Sequence, residues 1–156
     1  GHAALGLAVT QGGLDLPKSL GQACLIKLNR PRPGLDLVPL LREYATSAID
    51  VSDGLVADLG HILQMSGVGA RIDKKQLPVC EWIRQQDRYD FALAGGDDYQ
   101  LLFTVASENV DRVIQQARQA GIRLTIIGEI TDSSFVMIDR QQRDLSNYRG
   151  FDHFAG

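Results

Sequence analysis

Residues 48–55 read Ala48-Ile49-Asp50-Val51-Ser52-Asp53-Gly54-Leu55, and a change of period inside this stretch decides the fold class. Over residues 47–52 (SAIDVS) the β-branched Ile49 and Val51 alternate with Asp50 and Ser52, the period-two pattern of a strand. Directly after Gly54 the apolar residues Leu55, Leu59, Ile62 and Leu63 recur at helical spacing until Gly67 stops the helix. A strand that turns within two residues into a helix is a building unit of layered α/β proteins.

The same alternation continues on both sides. Upstream, residues 3–9 are apolar and helix-compatible up to the Gly12-Gly13 pair, and residues 37–44 present Leu37, Val38, Leu40 and Leu41 as a helix against a core. Between them, Pro31 and Pro33 forbid regular pairing over residues 30–34 and mark a boundary loop after QACLIKL at 22–28. Downstream, the pattern predicts a strand at 70–73, a brief helix around Trp82 and Ile83, and a buried strand at 100–106. Ser107 and Asn109 then offer caps to an amphipathic helix over 110–120 ended by Gly121. Strands follow at 123–130 and 135–139, and the aromatic-rich tail at 148–154 has no clear period. No repeat of 20 to 50 residues interrupts this order. The expected fold is α/β (α+β), a layered domain.

Composition narrows the function. The 156 residues carry 16 Lys plus Arg against 19 Asp plus Glu, a formal net charge of -3, and no basic run, which argues against nucleic acid as a partner. The longest uncharged stretch, 3–14, is far shorter than the roughly 20 apolar residues of a membrane span. No basic region followed by an apolar run marks a secretory signal, and Gly1-His2 reads as a cloning scar, so a cytoplasmic protein is expected. Cys24 and Cys80 stand far apart without metal-ligand spacing and read as reduced thiols. Of the 19 acids, 15 are Asp, a residue that favours turns, caps and oxygen-ligand sites over helix interiors, which directs attention to hard-metal chemistry.

Two constellations could carry that chemistry. In the first, a strand through Asp50 and Ser52 places both on one face, and Asp53 with Gly54 turns the chain into a helix N-terminus. Two carboxylates, a hydroxyl and free backbone N–H groups would then converge, a set suited to Mg2+ and to phosphate. The plainer alternative, that Ser52 or Asp53 only caps the helix, leaves the charge of Asp50 between Ile49 and Val51 unexplained. The second is Gly95-Gly96-Asp97-Asp98-Tyr99 ahead of a strand, where two acids repel and two glycines permit unusual backbone. Such a loop suits a cation, a metal or an amine donor, against the plainer reading of a solvated turn. His61 reads as a partly buried histidine and Trp82 as core. No P-loop, G-x-S-x-G, H-E-x-x-H or post-strand G-x-G-x-x-G occurs.

These motifs, with Asp58-Leu59-Gly60-His61-Ile62, Leu101-Leu102-Phe103-Thr104, Ile127-Gly128-Glu129-Ile130 and Gly150-Phe151-Asp152-His153-Phe154, run in order through nearly the whole chain. Together they resemble the thiamine-monophosphate kinase family, and only its C-terminal half. That half is a three-layer α/β/α sandwich around a mixed sheet, shared with aminoimidazole-ribonucleotide synthetase, selenophosphate synthetase and a hydrogenase-maturation protein. The resemblance implies that residues 1–156 are a single C-terminal domain of a two-domain kinase. The N-terminal metal-binding, ATP-binding and dimerisation half would be missing, and the full-length enzyme would be a homodimer through it. It implies ATP-dependent phosphorylation of thiamine monophosphate to thiamine diphosphate, with Asp50 and Asp53 on Mg2+, Ser52 on the nucleotide, and Asp97 and Phe151 facing the substrate. Phosphoryl transfer relies on positioning and charge neutralisation rather than a nucleophilic side chain, which agrees with an Asp cluster. This chain has Gly-Gly-Asp-Asp where the family commonly has Gly-Gly-Glu-Asp, so Asp97 is one methylene shorter in reach. A sister synthetase of the superfamily and a non-catalytic metal or nucleotide-binding module are the alternatives.

Overall fold

The computed structural model describes residues 1–139 and 141–143. Among them the chain runs α1 (His2–Thr10), α2 (Lys18–Asn29), α3 (Val38–Tyr44), β1 (Ala45–Asp50), α4 (Leu55–Ser66) and β2 (Gly69–Ile72). It continues through α5 (Glu81–Gln85), α6 (Asp90–Leu93), β3 (Leu101–Val105), α7 (Val110–Gln119), β4 (Gly128–Thr131), β5 (Val136–Ile138) and β6 (Gln141–Arg143). The mixed α/β class is borne out, and the described strands fall into two hydrogen-bonded groups. β1 and β3 form an antiparallel ribbon, while β4-β2-β5-β6 is a mixed sheet in which β2 runs parallel to β5 and antiparallel to β4.

The ribbon lies between two apolar clusters. Successive side chains of a strand point to opposite faces, and β3 uses both: Leu102 packs against one cluster, Phe103 and Val105 against the other. The larger cluster joins Leu5 of α1, Cys24 of α2, Leu55, Val56, Leu59 and Leu63 of α4, Ile72 of β2 and Val136 and Ile138 of β5. The smaller joins Leu40 and Tyr44 of α3 to Val113 and Ala117 of α7. Helices therefore pack on both faces of β3, while β1 keeps one exposed face. Burying each large aliphatic side chain of α4 contributes about 1.5–3 kcal/mol, which holds this helix, and the turn that feeds it, against the core.

Several elements depart from expectation. The strand predicted over 123–130 is regular only as β4. β2 offers Gly69–Ile72 as a partner, the Asp73 N–H donates once more to the Ile127 carbonyl at 3.0 Å, and the chain then enters a 3-10 turn at Lys74–Gln76, so residues 123–126 have no part of β2 to pair with. β3 is half-buried rather than buried, because β1 pairs with one of its edges only. Residues 22–28 belong to α2, which meets α1 closely: a Cβ on Gly6 would stand 2.7 Å from the carbonyl oxygen of Cys24. Asn109 makes no side-chain cap bond to α7, since a 3-10 turn at Ser107–Asn109 already leads into the helix with helical geometry. His61 is exposed, not partly buried, while half-buried Trp82 does pack on the larger cluster, edge-on to Phe91. Cys24 and Cys80 are both free. Among the described residues no helix is long and apolar enough to cross a membrane.

Candidate functional site

The two constellations read separately in the sequence are joined in space. After β1 ends at Asp50, the chain keeps pairing with the second loop: the Val51 N–H donates to the Gln100 carbonyl at 2.8 Å, and the Tyr99 N–H to the Val51 carbonyl at 2.9 Å. The Asp97 N–H then donates to the Ser52 carbonyl at 2.9 Å. The approach depends on glycine. A Cβ on Gly96 would lie 2.3 Å from the Ser52 oxygen, and one on Gly95 would lie 2.3 Å from the Phe91 oxygen. The unusual backbone falls elsewhere, on Asp97 (φ 64) and Tyr99 (φ 47), while Gly95 and Gly96 keep ordinary φ. These glycines serve close approach, not the conformational freedom expected of them. Left-handed backbone at a non-glycine residue costs free energy and concentrates at ligand sites and switches.

Ser52 lies outside β1 rather than in it, so it does not share a strand face with Asp50; both it and Asp53 are half-buried, whereas Asp50 sits on the exposed side of β1. Neither Ser52 nor Asp53 caps α4. The N-cap is Gly54, with φ 119 and ψ 144 and no side-chain cap bond, which removes the plainer reading of the motif. The N–H groups of Ser52 and Asp53 are not free as expected. Both donate to one carboxylate oxygen, Oδ2 of Asp58, at 3.0 and 3.1 Å. Asp58 is 2% exposed, and burial pushes its carboxyl above the usual carboxylate range, partly offset by these backbone donors. Asp98 plays a similar part for the other loop: its Oδ1 accepts the Ala3 N–H of α1 at 3.1 Å. The sequence motifs assign no individual role to Asp58 or Asp98. The signal for Asp58 was available, a charge three residues after Leu55 and four before Ile62, on the apolar stripe of the helix.

Asp97 is exposed at the edge of the joined loops. Among the described residues no three His, Cys, Asp or Glu side chains come together as a metal-binding group. The exposed carboxylate of Asp50 and the half-buried one of Asp53 are hard oxygen donors, the donor type of an ion that takes one or two protein carboxylates together with substrate phosphates and water. Phe151, with Tyr148 and Phe154, lies outside the described residues.

The chain matches the family model described as AIR synthase related protein, C-terminal domain, over residues 24–139. It is 37% identical over 162 residues to the thiamine-monophosphate kinase of Escherichia coli (strain K12), covering 99% of this chain and 50% of that protein. It is 38% identical to the thiamine-monophosphate kinase of Salmonella typhimurium with the same coverage. Among solved structures it is similar to the crystal structure of thiamine-monophosphate kinase from Stenotrophomonas maltophilia K279a, with a TM-score of 0.81 and 38% identity, covering 92% of this chain and 48% of that one. It is also similar to AaThiL complexed with AMPPCP and TMP, with a TM-score of 0.78 and 29% identity, covering 98% of this chain and 48% of that one. The chain spans about half the length of the curated relatives it matches. The resemblance read from the series of motifs along the chain is borne out. With the match reaching from α2 through β5, and so across both joined loops, the chain belongs to the AIR synthase related protein, C-terminal domain family.

Proposed function

We propose that this chain is the C-terminal half of an ATP-dependent kinase that converts thiamine monophosphate to thiamine diphosphate, working in the cytoplasm as a homodimer held by the N-terminal half. The observation that carries this reading is the bond from the Asp97 N–H to the Ser52 carbonyl. It brings the Asp50-Val51-Ser52-Asp53 turn and the Gly-Gly-Asp-Asp-Tyr loop together in a chain similar along 99% of its length to thiamine-monophosphate kinases.

In this reading Asp50 and Asp53 hold Mg2+, which when bound neutralises charge on the phosphoryl oxygens. The Ser52 hydroxyl donates to the nucleotide. Asp97 presents a carboxylate to thiamine monophosphate, attracting its thiazolium charge or accepting from its exocyclic amine, and Phe151 faces the substrate ring. No side chain here is asked to act as a nucleophile. The acceptor is the substrate's own phosphate, and the protein aligns two anionic groups whose repulsion it must offset.

The test is chromatographic measurement of thiamine diphosphate formed by the full-length protein from ATP, Mg2+ and thiamine monophosphate. Turnover of ATP with another acceptor and none with thiamine monophosphate would move the protein to a sister synthetase. Binding of a non-hydrolysable ATP analogue without turnover of any acceptor would leave a nucleotide-binding module. The 156-residue chain alone should give no product, because part of a charge clamp does not stabilise the transferring group.

A further inference from the structure

A buried carboxylate in an apolar helix face needs a reason, since taking it out of water is costly unless hydrogen bonds replace the lost hydration. Asp58 stands in the first turn of α4 among Leu55, Leu59 and Ile62, and its own N–H donates to the Gly54 carbonyl at 3.0 Å, which fixes it to the helix. One oxygen, Oδ2, takes the N–H groups of both Ser52 and Asp53. On the other side, the Ser52 carbonyl takes the Asp97 N–H. The backbone of Ser52 is therefore gripped at both ends, by α4 through Asp58 and by the second loop through Asp97.

From this arrangement we infer that Asp58 is a positioning residue for nucleotide binding, acting through the two backbone N–H groups to set where Ser52 and Asp53 stand. The inference rests on the kinase reading above, which gives Ser52 and Asp53 their ligands. It also separates geometry from charge. Because a single oxygen accepts both bonds, an amide oxygen can replace it, while a carboxylate moved outward by one methylene cannot occupy the same point.

The experiment compares Asp58→Asn and Asp58→Glu in the full-length enzyme. Calorimetric affinity for a non-hydrolysable ATP analogue at saturating Mg2+ is measured together with amide hydrogen exchange at Ser52 and Asp53. Asp58→Asn should bind the analogue within about threefold of wild type and keep both amides protected, whereas Asp58→Glu should lose about tenfold or more in affinity and protection, the scale of one hydrogen bond. A purely electrostatic role predicts the opposite order, since Glu keeps the charge and Asn does not. Wild-type affinity in Asp58→Glu, or lost affinity in Asp58→Asn, would overturn the inference. Failure of both variants to fold would overturn it too, by making Asp58 a folding determinant. If the wild-type enzyme itself ignores the analogue, the kinase reading falls first, and the two failures are told apart.

Discussion

Replacing Gly54 by alanine strikes the hinge of the motif that decides the fold. Gly54 holds φ 119 and ψ 144, backbone that an L-residue adopts only under strain, and a Cβ there would lie 2.9 Å from both the carbonyl carbon and the oxygen of Ala94. Two costs add. The conformation costs on the order of 1–3 kcal/mol, and forcing a methyl against backbone that cannot rotate away adds roughly 1–3 kcal/mol. A central value of about 4 kcal/mol is a large share of the roughly 5–15 kcal/mol that holds a domain together. At about 2–4 °C per kcal/mol for a chain of this size, it lowers the melting temperature by roughly 8–16 °C.

Gly67 supplies the control. It also sits at positive φ (66), but a Cβ there meets nothing within 4 Å, so Gly67→Ala carries the left-handed cost alone, about 1–2 kcal/mol. Thermal unfolding of the two variants beside wild type isolates the contact between the 51–54 turn and Ala94. Because Ala94 leads directly into Gly95-Gly96-Asp97, Gly54→Ala should also weaken activity at temperatures where it remains folded, and Gly67→Ala should not. If Gly54→Ala melts no lower than Gly67→Ala, the close packing of the two loops is wrong.

Three further outcomes follow from the same geometry. Asp50→Asn, at an exposed position, should shift the melting temperature by no more than about 2 °C while cutting turnover by several kcal/mol of transition-state stabilisation, on the order of a hundredfold or more. Near wild-type turnover at saturating Mg2+ would make Asp50 structural. Asp97→Asn keeps a side chain that tolerates φ 64 and should raise KM for thiamine monophosphate by roughly 10- to 150-fold, the value of a charged hydrogen bond, with KM for ATP unchanged. The reverse pattern would assign Asp97 to the nucleotide side. Burial pushes the Cys24 thiol up from 9.0 to about 11, so the folded chain keeps a proton that the unfolded chain loses. Stability is then fully present below about pH 9 and falls by about 2–3 kcal/mol as pH rises toward 11. Urea unfolding of wild type and Cys24→Ala across that range should show the extra decline in wild type only, and parallel curves would refute it.

The fold was legible where one element's own period settles it. Leu55, Leu59, Ile62 and Leu63 announce α4 because a single stripe is buried against a single core, and Gly67 and Gly121 end their helices by adopting φ 66 and 71. What depends on a partner was less legible. Residues 123–126 have strand composition throughout, but a strand exists only where another chain segment offers its ladder, and β2 is four residues long. Propensity says what a segment tolerates, and tertiary pairing decides what it does. α2 was missed for a related reason: its close crossing with α1 is licensed by Gly6, a residue whose lack of side chain says nothing until its neighbour is known.

The site divides along the same line. Its residues could be named from the motifs because hard-oxygen chemistry and phosphate need particular side chains, but their arrangement could not. From the sequence, Ser52 belonged to a strand and its N–H to the ligand. In the structure β1 stops at Asp50, and the N–H is taken by Asp58, six residues along the chain. Short-range patterns treat backbone donors near a helix start as available, yet a donor is available only if no buried acceptor claims it. Here a buried carboxylate does. Its claim ties the loop to the helix, the Asp97 N–H ties the loop to the second motif, and the two glycines at 95 and 96 let the segments close to that distance. Side chains at this place can therefore be exchanged for others of like shape with local effect, whereas a methyl at Gly54 or Gly96 disturbs every group at once, because it acts on the spacing they share.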